Sequence, residues 1–181
     1  MLRDPEVRRV LAGHLGALNR LVLLGDVVEF RQGPARDALG VARAALAELA
    51  GALPAEAEVV LVPGNHDHRL LCEWTGRRAL AGPAEPLGLE SPVDWRPDEP
   101  MAIVADALGP QRVRASYPGV WLSDTVYATH GHYTDRHTTL PILERLGAGL
   151  MARLVAEPRD GPGRAEDYEA TLAVSYTHLT L

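Results

Sequence analysis

Val59-Val60-Leu61-Val62-Pro63-Gly64-Asn65-His66-Asp67-His68 decides the fold. Its leading apolar residues read as a buried strand. Pro63 and Gly64 stop that strand and turn the chain sharply. An amide, an imidazole, a carboxylate and a second imidazole follow at once. They stand at the end of a rigid strand, where α/β proteins put their sites. Taken alone, the stretch reads equally well as a polar surface loop with His66 and His68 in solvent.

Two further stretches repeat the design. Arg20-Leu21-Val22-Leu23-Leu24-Gly25-Asp26 is a short apolar strand, a glycine and a carboxylate. Val126-Tyr127-Ala128-Thr129-His130-Gly131-His132 is a strand-like run ending in imidazoles. Strand ends bearing Asp, Asn and His form a set for metal ions with mixed oxygen and nitrogen ligands. Of the seven histidines, five stand at 66, 68, 130, 132 and 137, a clustering that scattered solvated histidines would not show.

Composition narrows the classes. A chain of 181 residues, 46% hydrophobic and 23% charged, fits one domain with a sizeable core. The net charge of −6 and the absence of an arginine run argue against a nucleic-acid or anionic-membrane partner. All 18 basic residues are arginine, which excludes a P-loop and any lysine-based catalysis. The single cysteine, Cys72, allows neither an internal disulfide nor a thiolate metal site. Beside Leu70, Leu71 and Trp74 it reads as a buried structural thiol. No stretch is long enough for a membrane span and no signal peptide stands at the start, so a cytoplasmic protein is expected.

The chain in order predicts alternating helices and strands, hence an α/β fold. Asp4-Pro5-Glu6 opens a helix over 4–18. Strand 20–24 delivers Asp26, helix 35–50 follows Gly33-Pro34, and strand 58–62 delivers Asn65 and His66. A helix is expected over 68–80. Residues 82–100 hold five prolines and read as an irregular insertion. Its role is a lid or substrate-specificity loop, with a plain surface linker the equal alternative. A short helix spans 101–108. Strands 111–117 and 119–129 form a hairpin turned by Pro118-Gly119, the second delivering His130. Helices are expected at 139–156 and from 165.

Gly25-Asp26-Val27-Val28-Glu29, Gly64-Asn65-His66-Asp67 and Thr129-His130-Gly131-His132 together resemble the calcineurin-like metallophosphoesterases. That family's motifs run D-x-H, G-D-x-x-D/E, G-N-H-D/E, a strand-borne histidine and G-H-x-H. The middle three stand here in order, over residues 20 to 137. The resemblance implies a sandwich of mixed β-sheets flanked by helices. It implies hydrolysis of a phosphoester (mono-, di- or pyrophosphate) by metal-activated water, with two divalent ions, Mn, Fe, Zn or Co. By the same resemblance Asp26, Asn65 and His130 are metal ligands. His66 is the catalytic histidine that protonates the leaving oxygen, and Asp67 orients it. Glu29 falls behind the ligands. His68 and Arg69 open a helix whose N-terminus favours anions, so either touches phosphate or lies on the surface. His132 is a further cleft residue or solvated, while Asp135 and His137 read as surface.

The resemblance also implies a piece of the domain, over 1–173 and incomplete at both ends. No D-x-H precedes Gly25-Asp26, and no G-H-x-H follows His130. The expected consequence is an unpaired apolar edge at 20–24 and weak activity or none in the chain as it stands. Val174-Ser175-Tyr176-Thr177-His178-Leu179-Thr180-Leu181 resembles a translated sequencing adaptor, which removes His178 from the ligand candidates. The competing functions are a non-catalytic scaffold of the same fold, which loss of the G-N-H-D histidine would mark, and a nuclease, against which the acidic balance argues.

Overall fold

Two parallel strands in step set the geometry of the molecule. β1 (Arg20–Leu24) and β2 (Glu58–Val62) pair with Arg20 opposite Glu58 and Leu24 opposite Val62. Gly25-Asp26 and Pro63-Gly64-Asn65 therefore leave the sheet side by side. Both strands have the expected bounds. The computed structural model describes residues 4–81 and 86–132. The chain divides into two compact units, Met1–His130 and Gly131–Leu181, and the fold described is that of the first.

Among the described residues four helices flank a mixed sheet: α1 (Pro5–Leu15), α2 (Ala35–Ala52), α3 (Cys72–Leu80) and α4 (Pro100–Leu108). The side chain of Asp4 caps α1 by accepting from the Glu6 N–H at 2.9 Å. α2 packs against α1 on one side and α4 on the other. Its stripe of Leu39, Ala42, Ala45, Leu46 and Leu49 is buried, as is that of Met101, Val104, Ala105 and Leu108 on α4. Arg112 locks this layer from below. Its guanidinium donates to the carbonyls of Leu108, Pro54 and Ala50 at 2.7, 2.9 and 2.9 Å, tying the C-terminal ends of α2 and α4 together.

The rest of the sheet hangs on β4 (Val113–Ser123). Its first residues pair parallel with β2, with Val59 opposite Val113 and Leu61 opposite Ala115. Its middle pairs antiparallel with β3 (Glu90–Val93). Beyond Pro118 it pairs antiparallel with β5 (Val126–Thr129), Gly119 lying opposite Thr129. The order is β1-β2-β4-β3 with β5 on β4, and the sheet curls as a half-barrel. Val60, Val62 and Val120 form a fully buried cluster on one face, with Val22 and Ala128 packed against it.

Several expectations change. The hairpin does not turn at Pro118-Gly119: β4 runs straight through it, with a cis Tyr117–Pro118 peptide, and β5 begins only at Val126. Gly119 is needed for space. A Cβ there would stand 2.3 Å from the Tyr127 hydroxyl and 2.5 Å from the Ala128 carbonyl, so the glycine marks close strand contact. The proline-rich segment 82–100 is not wholly irregular, because Glu90–Val93 is an edge strand. The helix expected over 68–80 is a single 3-10 turn at His68–Leu70 followed by α3. The helix expected over 4–18 stops at Leu15. Cys72 is half-buried, its thiol donating to the His68 carbonyl at 3.8 Å. The expected helices at 139–156 and from 165, Asp135, His137 and the stretch 174–181 lie outside the described residues.

Candidate functional site

The candidate site forms where β1, β2 and β5 end. The three strands bring Asp26, Asn65 and His130 together, although 104 residues separate the first from the last. His130 Nδ1 lies 3.2 Å from the Leu24 carbonyl. The Leu24 carbonyl and Asn65 Oδ1 both only accept, so a neutral ring donates to one of them; with the hydrogen on Nδ1, Nε2 presents its lone pair to the Asn65 side. Nε2 lies 3.2 Å from Asn65 Oδ1 and 3.4 Å from Asp26 Oδ2. In that tautomer three lone-pair atoms face one another. Such an arrangement is repulsive unless a cation sits among them. Those donors, one nitrogen and two oxygens without sulfur, suit a divalent metal ion.

Two glycines allow the approach. Gly25 has φ +77°, and a Cβ on it would lie 2.1 Å from His130 Nδ1. A Cβ on Gly64 would lie 2.7 Å from Asp26 Oδ1 and 2.9 Å from His130 Cδ2. Asp26 itself has φ +56°, a left-handed conformation uncommon outside glycine. Such a residue persists only where its surroundings hold it, and such positions concentrate at functional sites. Here the holding group is the His66 N–H, which donates to Asp26 Oδ1 at 3.0 Å and leaves Oδ2 for the His130 side.

His66 lies beside this cluster with its ring half-buried. Its Nδ1 is 2.6 Å from Glu29 Oε2. Partial burial works to raise the Glu29 carboxyl. The His66 hydrogen bond, the Arg31 backbone N–H and the nearby positive charges outweigh it and hold the group below its ordinary range. Glu29 is thus the anion that orients His66, the part expected of Asp67. Asp67 does something else. It is fully buried, and its carboxylate accepts from the Val27 N–H at 2.8 Å and the Gly64 N–H at 2.5 Å. Burial and the neighbouring Asp26 charge push its carboxyl up, against the pull of those N–H groups. Asp67 is therefore a clamp between the loops after β1 and β2. The Phe30 N–H bond to the His66 carbonyl, at 3.2 Å, is a second tie between them. The spacing G-D-x-x-E placed Glu29 near enough to find. Its pairing with His66 was out of reach because it depends on how the two loops cross.

His68 is buried in the 3-10 turn, Arg69 is exposed, and His132 is buried. Among the described residues no three His, Cys, Asp or Glu side chains converge as a metal-binding group; the Asp26–Asn65–His130 set is two such residues and an amide. Among the described residues no helix is long and apolar enough to cross a membrane. In comparisons with known proteins, no family model, curated protein or solved structure matches the chain.

Proposed function

We propose that the chain belongs to a metal-dependent phosphoesterase of the calcineurin-like type, its curled sheet forming part of that family's sandwich. The observation that carries the reading is the convergence of Asp26 Oδ2, Asn65 Oδ1 and His130 Nε2 beside the His66–Glu29 pair. Asp26, Asn65 and His130 would hold one cation. By the sequence resemblance Asp26 would also serve a second ion. A bound divalent cation supplies positive charge to phosphate oxygens and lowers the pKa of a water.

The chain's own residues do the remaining work. Glu29 accepts from His66 Nδ1 and orients the ring, and an imidazolium held this way would give its Nε2 proton to the leaving oxygen. The His66 backbone N–H keeps Asp26 turned toward His130. Asp67 holds the two loops in register, which keeps the proton donor and the ligands at fixed separation.

Hydrolysis of bis(p-nitrophenyl) phosphate by the full chain with added Mn²⁺, alongside metal content, tests the proposal. Turnover that depends on Mn²⁺ is expected. His66→Ala should lower turnover far more than metal content, and Asp26→Ala should abolish both. Equal loss of metal in the two variants would refute the assigned roles. Metal binding without turnover in the parent would favour the non-catalytic scaffold of the same fold.

A further inference from the structure

Resting on the phosphoesterase reading of the site, we propose that Arg69 selects substrates whose leaving group carries a second phosphate. Its guanidinium binds that phosphate beyond the leaving oxygen.

The turn after β2 is built with a period of three. A 3-10 turn brings residues i and i+3 onto one side. Asp67 and Leu70 form one such row and are buried. His68 and Leu71 form a second row and are buried too. The row left outside holds His66, half-buried, and Arg69, exposed. The Leu70 N–H donates to the Asp67 carbonyl at 2.9 Å and the Leu71 N–H to the His68 carbonyl at 2.8 Å, which fixes the spacing. Arg69 therefore shares the solvent side of the turn with the proton donor. One turn advances roughly 6 Å along the chain. Asn65, His66 and Arg69 then follow one another as metal ligand, proton donor and cation. A phosphate on the metal, with its leaving oxygen at His66, directs the next group of the substrate toward Arg69.

The charge of Arg69 is available for that group. Among the described residues its guanidinium makes no hydrogen bond, ion pair or ring contact. Arg8, Arg20, Arg77, Arg112 and Arg114 are each committed to an acid or to backbone carbonyls. Asp26 and Glu29 make the surroundings negative, and the chain as a whole carries −6. A substrate with two phosphates therefore needs a cation at each end. The metal serves the first, and the planar fork of Arg69 matches two oxygens of the second. The bond cleaved joins the first phosphorus to the leaving oxygen, which takes the His66 proton. The second phosphate departs intact on the alcohol.

Isothermal titration of the full chain in Mn²⁺ with propane-1,3-diyl bisphosphonate and with propylphosphonate tests this. Neither compound has an ester bond to hydrolyse, so binding alone is read. The bisphosphonate should bind the parent about tenfold more tightly, the scale of one hydrogen bond to a charged group. Arg69→Gln should bring that ratio close to one, with thermal unfolding unchanged because no contact within the chain is lost. Arg43→Gln removes an equally exposed charge from α2 and should keep the parent's ratio. Equal affinities in the parent would overturn the Arg69 assignment and leave the phosphoesterase reading standing. So would a ratio that survives Arg69→Gln, or one that falls as far in Arg43→Gln. Binding of neither compound would remove the phosphate site itself, and both readings would fall. The expected ratio in a chain that does not hydrolyse bis(p-nitrophenyl) phosphate would support the Arg69 contact and refute only the turnover.

Discussion

At Gly64 a single hydrogen decides whether the site exists. The space where a Cβ would stand is bounded by Asp26 Oδ1 at 2.7 Å and by the Asp26 backbone nitrogen at 3.0 Å. The carboxylate can swing away, but the backbone atom cannot without dragging the left-handed Asp26 out of place. Gly64→Ala should therefore weaken metal binding by at least about tenfold, the scale seen when groups behind a ligand are disturbed. Thermal unfolding should change less, because the clash lies in loops outside the buried cluster of Val60, Val62 and Val120. Isothermal titration with Mn²⁺ checks this, and unchanged affinity would detach Gly64 from the site. The same residue shows how far a sequence can be read. Pro63-Gly64 is legible as a turn from residue type alone. The tight contact with Asp26 is not, since it needs the parallel register of β1 and β2. Asp67 illustrates the limit from the other side. Adjacency to His66 in sequence suggested an orienting carboxylate, while the turn after β2 directs Asp67 inward to backbone N–H groups and leaves His66 to Glu29.

Among elements, the strands joined by charge extend the argument. Arg20 on β1, Glu58 on β2, Arg114 on β4 and Glu90 on β3 form a ladder of ion pairs at 2.5, 2.5 and 3.0 Å across four strands. Partial burial works to raise the Glu58 carboxyl, but Arg114 and Arg20 outweigh it and hold it below the ordinary 4.5. A depressed folded value means that the unfolded chain binds the proton more tightly. The stabilisation is therefore complete above about 4.5 and is lost as pH falls through the lower folded value. Glu58→Gln should lower stability at pH 7 by roughly 0.2–1 kcal/mol per pair, modest because the pairs are partly exposed. The gap should close in more acidic buffer. Urea unfolding at neutral and acid pH measures it, and a gap that widens toward acid would reverse the sign. The ladder was hidden in the sequence because its members lie up to 94 residues apart. The strands β1 and β2 were legible because each is a pure apolar run ending in glycine or proline. β3 and the continuous β4 were not, since Pro92 and Pro118-Gly119 carry the usual marks of loops.

On the scale of the whole molecule, Asp26, Asn65 and His130 belong to the ends of three strands that the sheet alone links only in part. β1 meets β2, β5 meets β4, and the described pairings place no ladder between β5 and β2. A cation held by all three side chains would join these ends in the folded state and in no unfolded one. Binding that is confined to the native state stabilises by about 2.7 kcal/mol at a concentration one hundred times Kd. For a chain of this size that corresponds to a rise in Tm of roughly 5–10 °C, at the usual 2–4 °C per kcal/mol. Mn²⁺ should therefore raise the Tm of the parent in step with its concentration. Asp26→Ala and Asn65→Ala should flatten the response, while His66→Ala should keep most of it, because in the proposed reading His66 serves the leaving oxygen and holds no metal. Scanning calorimetry across a Mn²⁺ series, with Mg²⁺ as the comparison, reads all four proteins in one experiment. A parent indifferent to metal would remove the metal site. An Asp26→Ala variant that responds like the parent would move the site elsewhere in the chain.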